Sequence, residues 1–332
     1  MQVRVLFESE IRRLCGRGEA LQAVRTAFAA LARGQAVLPG VLHLDLPAAR
    51  GEVHVKGAHL AGSPFYSIKE AAGFRNNPER GLPIGSGLFM VFDAATGLPR
   101  AILFDNGYLT ELRTGAAGAL AADLLARSRV RRAGLIGAGS QARYQIEALL
   151  GVRRPDRVAV YDRTFHKAAA FAREAAQRFG LPVEPVEHAR EAVEGSDLVI
   201  TATTAREPVV RSEWVRPGTH ITAVGADSPE KQELDPPLVA RADLLVADRL
   251  DQCLRLGEIH HAVAAGLLTP ERVHAELGEL AAGLKPGRTS DDQLTVADLT
   301  GVGVQDAAVA DHVVTAALAR DVGRTLEIES CG

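Results

Sequence analysis

The stretch Gly137-Ala138-Gly139-Ser140-Gln141-Ala142 has the residue types and spacing of a turn that holds a pyrophosphate. It follows the apolar run Gly134-Leu135-Ile136 and opens Gln141–Leu150, which reads as a helix. In that order the first glycine lets a strand turn sharply and the second lets the backbone approach phosphates. The small third position, Ala142, lets helix pack on strand. The helix start then offers N–H groups and a positive dipole end to the anion. A second apolar run, Val158–Tyr161, ends in Asp162, which lies 23 residues past Gly139. A carboxylate there accepts hydrogen bonds from the adenosine ribose. The pattern predicts a bound dinucleotide, and Asp162 favours NAD because a carboxylate repels a 2′-phosphate. Arg163 beside it leaves NADP open.

Three charged residues interrupt apolar or small-residue contexts. Lys69 ends Phe65-Tyr66-Ser67-Ile68-Lys69, Arg113 sits within Asn106–Ala117, and Asp227 follows Thr222–Ala226 at the end of an expected parallel strand. The crevice beyond such strand ends is where open α/β sheets bind ligands. Two cations and a carboxylate suit an amino acid: the cations clamp its carboxylate, and Asp227 handles a proton or an ammonium. Each has an ordinary alternative. Lys69 also reads as a solvated strand-end lysine, Arg113 as a helix-surface arginine, and Asp227 as the cap of the turn Asp227–Glu230. His260 and His261 have no ligand spacing and read as a partly exposed helix face. Cys15, Cys253 and Cys331 form no C-x-x-C pair, so neither a metal cluster nor a disulfide framework is expected.

The elements that position these residues fall into two textures. Residues 1–34 read as a short strand and the helices Glu8–Cys15 and Glu19–Ala32. From Ala36 to Leu109 come short β-like runs, Val41–Leu46, Glu52–Leu60, Phe65–Lys69, Gly87–Asp93 and Arg100–Asp105, which predict an antiparallel or mixed sheet. The Ala-rich helix Thr110–Arg127 follows. Strands Ala133–Ile136, Val158–Tyr161, Leu198–Thr201, His220–Val224 and Leu244–Ala247 then alternate with helices, which predicts a doubly wound parallel sheet of Rossmann type. The helix Gln305–Arg320 is expected to leave this sheet and pack on the first domain. The expected organisation is an α+β domain of residues 1–120 with 304–332, and a Rossmann domain of residues 121–303.

Composition excludes some classes. With 332 residues, 47% apolar and 24% charged, the chain has the make-up of a two-domain globular protein. Its formal net charge of −3 gives no basic footprint for nucleic acid. No apolar run reaches membrane-spanning length, and Met1–Leu6 lacks a signal-peptide pattern, so a cytoplasmic protein is expected.

The chain resembles the ornithine cyclodeaminase/μ-crystallin family. The likeness rests on Ile68-Lys69, Asn77-Pro78 with Gly81–Pro83, Asp93–Pro99, Leu109–Ala117, Gly137–Ala142 and Ala202-Thr203. It continues through Ala223–Asp227, Lys231–Leu234, Leu277–Leu280, Pro286–Arg288 and Asp298–Val302, in family order over nearly the whole chain. The resemblance implies a homodimer formed through the sheet of the first domain, a Rossmann domain for NAD, and chemistry at an amino acid Cα–N bond. It places Lys69 and Arg113 on the substrate carboxylate, and Lys69 and Asp227 as the catalytic residues, with Asp227 the acid/base. It places Thr114, Gly137, Ala138, Gly139, Ser140, Gln141, Ala142, Asp162, Arg163, Thr203, Val224 and Lys231 at the dinucleotide.

The resemblance implies hydride removal from Cα to leave an imine. The activity expected first is that of a cyclodeaminase: a side-chain amine attacks that imine, ammonia leaves and hydride returns. In the family's imino acid reductases and amino acid dehydrogenases the hydride step runs once, with net redox change. A non-catalytic protein of μ-crystallin type, holding NAD(P)H and a small acid, is the third reading. The chain departs from cyclodeaminases at Leu38-Pro39-Gly40-Val41-Leu42-His43, where a family arginine is missing. Lys56 is the candidate substitute, and Glu52 or His54 the candidate partner of a substrate amine. The stretch Gly51–Lys56 with Asp105–Tyr108 is most similar to members named cyclodeaminase or ectoine-utilisation protein. The expected ligand is a small amino or imino acid of open identity.

Overall fold

The computed structural model describes residues 2–329. Met1 and Cys331 lie outside the described residues. The chain forms two compact units, one made of the residues up to Arg113 and those from Gly303 onward, the other of Thr114–Val302.

In the first unit, β1 (Gln2–Phe7), α1 (Glu8–Leu14) and α2 (Arg17–Ala32) precede a run of strands. These are β2 (Ala36–Val37), β3 (Leu42–Leu46), β4 (Gly51–Leu60), β5 (Phe65–Phe74), β6 (Gly85–Asp93) and β7 (Pro99–Phe104). Then α3 (Tyr108–Leu125) begins, and the division between the units falls inside it. The sheet is mixed. Its order is the C-terminal strand Arg324–Glu327, then β1, β7, β6, β5, β4 and β2, with β3 also on β4. Of these pairs β1–β7 is parallel. β5 runs past its expected end at Lys69 to Phe74, because Ala71, Ala72 and Gly73 are paired on both sides despite weak strand propensity.

The two faces of this sheet differ. Lys56 stands opposite Lys69, which stands opposite Phe89 on β6. The C-terminal helix Gly303–Arg320 packs against β4, β5 and α2. Gly303 permits the approach, since a Cβ there would lie 2.7 Å from the Gly57 carbonyl. On alternate positions Leu42 stands opposite Val55, Leu44 opposite Val53, and Met90 opposite Ile68 and Ile102. Leu42 and Leu44 are each 50% exposed.

The second unit contains β8 (Arg132–Ile136), α4 (Ser140–Leu149), β9 (Arg157–Tyr161), α5 (Phe165–Phe179), β10 (Val183–Val186), α6 (Ala189–Val193) and β11 (Leu198–Thr201). It continues with β12 (Arg206–Val210), β13 (His220–Ala223), β14 (Gln232–Leu234), α7 (Pro236–Ala240), β15 (Leu244–Ala247), α8 (Leu250–Cys253) and α9 (Gly257–Ala264). β16 (Ala275–Glu276), α10 (Leu277–Ala281) and β17 (Thr295–Asp298) complete it. Eight strands form one parallel sheet in the order β10-β9-β8-β11-β13-β17-β15-β16. The chain starts at β8 in the middle, builds outward on one side through β9 and β10, then crosses to β11. That reversal is the topological switch point of a doubly wound sheet. Three strands of this sheet had no clear sequence signal. β10 contains Pro185, tolerable because it is an edge strand. β16 has two residues, and β17 four, although β17 is central between β13 and β15.

Candidate active site

The glycine turn sits at the switch point. Gly137 has φ of 105°, and a Cβ there would lie 2.5 Å from the Ala202 carbonyl and 3.1 Å from Thr203 Cγ2. Only glycine fits both the conformation and the space. Above Gly139 a Cβ would meet nothing within 4 Å, so the turn opens on free space at the start of α4. Ala142 is fully buried against the sheet. Asp162, just beyond β9, accepts the backbone N–H of Ala138 at 3.1 Å and that of Thr164 at 2.9 Å. Arg163 is exposed next to it. Thr114 is tied to the same turn through Gln145, whose Nε2 donates to the Thr114 carbonyl and to Gln141 Oε1, each at 3.0 Å. Ser140 is exposed in the first turn of α4.

The carboxyl ends of β11 and β13 are held by a residue that sequence reasoning did not single out. Glu233 is fully buried, and its carboxylate accepts from Thr201 Oγ1 at 2.7 Å, Thr203 N at 2.6 Å and Gly225 N at 2.8 Å. Burial pushes this carboxyl above the usual range, against those hydrogen bonds. Beneath it, the Glu258 carboxylate accepts the N–H groups of Glu233 and Leu234, each at 2.9 Å. The available signal was a glutamate inside the apolar-edged strand Gln232-Glu233-Leu234. Val224 is buried beside this bridge. Asp227 follows, 48% exposed, with its Oδ1 2.5 Å from Lys231 Nζ.

In the first unit the structure brings Lys56, Lys69 and Arg113 together. Lys69 is 2% exposed and Arg113 6%, so neither is a surface residue. Their common partner is Asp306, near the start of the C-terminal helix, another residue that sequence reasoning missed. Arg113 Nε lies 3.0 Å from Asp306 Oδ1, and Lys69 Nζ 3.4 Å from Oδ2. Arg113 Nη1 also donates to Gln305 Oε1 at 2.9 Å. Burial, with the positive charges of Arg113 and Lys56, brings the Lys69 ammonium down to about 8, while Asp306 opposes that fall. Burial raises Asp306, but Arg113, Lys69 and Lys56 outweigh it and hold the carboxyl below its ordinary value. Asp105, also buried and influenced by Lys69, is pushed up to about 6 by burial. Glu52 lies on β4 two positions from His54 and four from Lys56, on the same strand face. Its Oε2 is 4.0 Å from His54 Nε2.

His260 and His261 are half-buried and contact the carbonyls of Leu254 and Lys231. Among the described residues no group of histidine, cysteine or carboxylate side chains is arranged to hold a metal. Among them, too, no helix is long and apolar enough to cross a membrane.

The free space above Gly139, the start of α4 and the acid at the end of β9 fit the phosphates and ribose of a dinucleotide. Fold and turn together define the class: a two-unit α/β protein built on a Rossmann-type sheet. The chain belongs to the ornithine cyclodeaminase/mu-crystallin family, which it matches over residues 2–321. It is 44% identical over 327 residues to a putative dehydrogenase of Rhizobium meliloti, covering 98% of this chain and 99% of that one. An archaeal alanine dehydrogenase dimer with bound NAD superposes with a TM-score of 0.92 at 38% identity, over 99% and 100% of the two chains. The Δ1-pyrroline-2-carboxylate reductase of Thermococcus litoralis, in complex with NADH and L-proline, also gives 0.92, at 34% identity over 97% and 99%. Other similar proteins bear the names cyclodeaminase and iminosuccinate reductase.

Proposed function

We propose that this protein is an NAD-dependent enzyme acting at the Cα–N bond of a small amino or imino acid, with net redox turnover. The observation that carries the reading is the burial of two cations, Lys69 and Arg113, in one cluster. Both cations converge on the single carboxylate of Asp306, and a substrate carboxylate is a second anion that such a pair can hold. The redox reading is preferred because an alanine dehydrogenase and a pyrroline-2-carboxylate reductase superpose at 0.92 each, against 0.83 for a lysine cyclodeaminase.

In this reading Lys69 and Arg113 hold the substrate carboxylate, and Lys56 adds a third positive charge where the family arginine is missing. Asp227 takes and returns the proton at the substrate nitrogen and stabilises its positive charge. Lys231 holds the Asp227 carboxylate in place. Thr114, Gly137–Ala142, Asp162, Thr203 and Val224 bind the dinucleotide, which when bound exchanges hydride with the substrate Cα. Asp162 selects NAD, and Arg163 gives NADP some access. We propose a homodimer through the sheet face of Leu42, Leu44 and Met90, whose exposed apolar side chains favour burial.

Cyclodeamination is the second reading, and Glu52 favours it. A carboxylate on the strand face of Lys56 is a partner for the side-chain amine of a diamino acid. A panel of amino acids and imines with NAD(H) and NADP(H), followed for ammonia and absorbance together, separates the readings. Stoichiometric change in NADH supports redox turnover, whereas ammonia release without it supports cyclodeamination. Dinucleotide binding with neither signal defeats both and leaves a binding protein.

A further inference from the structure

We infer that Asp306 is a positioning residue: a buried carboxylate, delivered by the C-terminal helix, that stabilises the Lys69 ammonium and aligns it with Arg113 for a substrate carboxylate. The inference rests on the carboxylate site proposed above and names what builds it. Asp306 is 1% exposed and lies within ion-pair distance of both cations. Both contacts are ion pairs, at 3.0 Å to Arg113 Nε and 3.4 Å to Lys69 Nζ. Gln305, its neighbour in sequence, fixes the other edge of the same guanidinium.

Lys69 is surrounded by charged groups from several elements. Lys69 is faced by Lys56 from β4, by Arg113 from α3, by Asp306 from the C-terminal helix, and by Asp105 beyond β7. Its chain neighbour Glu70 acts on it weakly from the other strand face, and β6 presents only Phe89. Removing one partner of a buried ion pair is strongly unfavourable, so without Asp306 the Lys69 ammonium would be harder to bury. Position supports this role: a carboxylate in the first turn of a helix is stabilised by the helix dipole.

Asp306→Asn keeps the shape and removes the charge. Two readouts follow it. One is the pH dependence of KM for the amino or imino acid, with NADH affinity as control. The other is Lys69 ionisation itself, followed by NMR of lysine-labelled protein and assigned through Lys69→Arg. Losing an opposite charge at this distance lowers the Lys69 midpoint by about one pH unit. The basic limb of substrate binding moves down equally, a roughly five-fold rise in KM at pH 8, with kcat and NADH affinity changed little. Asp306→Glu restores part of the shift. A folded Asp306→Asn protein with Lys69 titrating as in the wild type overturns the inference. If Lys69 shifts but the wild type turns over no amino or imino acid, the functional proposal fails and this inference stands. Should the single variant not fold, Asp306→Asn with Lys56→Met, which loses one charge of each sign, recovers the fold. Failure of that pair to fold overturns it too.

Discussion

Asp162 accepts the backbone N–H of Ala138 at 3.1 Å, so the acid after one strand is joined directly to the glycine turn after its neighbour. The carboxylate is thereby held where a ribose would lie beside a pyrophosphate. Replacing Asp162 by Ala removes charge-assisted acceptance at that point, a loss of about 1.5–3 kcal/mol. NADH binding, titrated by fluorescence, is expected to weaken about ten- to hundred-fold. NADPH binding should weaken less or improve, because the repulsion of a 2′-phosphate disappears while Arg163 remains. Equal losses for both would refute the assignment of Asp162 to cofactor choice.

Asp227 is 48% exposed and held by Lys231 at 2.5 Å. If it moves the proton at the substrate nitrogen, Asp227→Asn lowers kcat by about 10²- to 10⁴-fold. NADH affinity should stay within a factor of two or three of wild type, roughly, since the dinucleotide contacts lie elsewhere. Steady-state kinetics with the best substrate, together with NADH titration, check both halves. Unchanged turnover would remove Asp227 from the chemistry.

Much of the site was legible because its residues break local patterns. Lys69 closes the apolar run that begins at Phe65, Arg113 interrupts a small-residue helix, and Gly137 to Ala142 combine a fixed spacing with a strand before and a helix after. Asp306 and Glu233 were not legible for a common reason: each acts at a distance in sequence. Asp306 lies near the start of a helix and meets Lys69 only because the C-terminal helix returns to β4 and β5. Glu233 joins two loops by hydrogen bonds that no local periodicity encodes. The parallel sheet was legible as alternation, but β10 and β17 were not. A proline hides the first, and four residues after a polar loop carry too little pattern to mark the second.

Glu233 makes a stability prediction. Its carboxylate meets two backbone N–H groups and one hydroxyl, all within 2.8 Å. In Glu233→Gln the amide NH₂ must face at least one of those N–H donors, leaving buried donors unpaired. The expected cost is about 2–3 kcal/mol, read from the urea midpoint. NADH affinity should fall as well, because the loops bearing Thr203 and Val224 lose their tie. A stable variant with normal NADH affinity would show the bridge to be dispensable.

The exposed sheet face makes an assembly prediction. Leu44 is 50% exposed opposite Val53, in a row of alternating apolar residues. Leu44→Lys places a charge within the proposed interface, where its burial in a dimer costs several kcal/mol, roughly, if unpaired. Sedimentation should show the wild type as a dimer and the variant shifted toward monomer, with little change in monomer secondary structure. A wild-type monomer at micromolar concentration, or an unaffected variant dimer, would rule this face out.

Lys69 predicts opposite responses of binding and stability to rising pH. In the folded protein it titrates at about 8, below its ordinary 10.5, because burial and then the neighbouring cations disfavour the charge. Binding of a substrate carboxylate requires the ammonium, so affinity falls as pH rises through about 8. Stability runs the other way. Between the folded and unfolded values the unfolded chain holds a proton that the folded chain lacks, so unfolding becomes harder as pH rises across that window. The charged lysine destabilises the fold below pH 8, and that penalty is relieved above it. Against Lys69→Met, which has no proton to lose, wild-type stability should gain on the order of 3 kcal/mol between about pH 7 and 11. Denaturant unfolding of both proteins across that range measures the difference. A constant difference would mean that Lys69 titrates alike in both states, and the loss of binding near pH 8 would need another group.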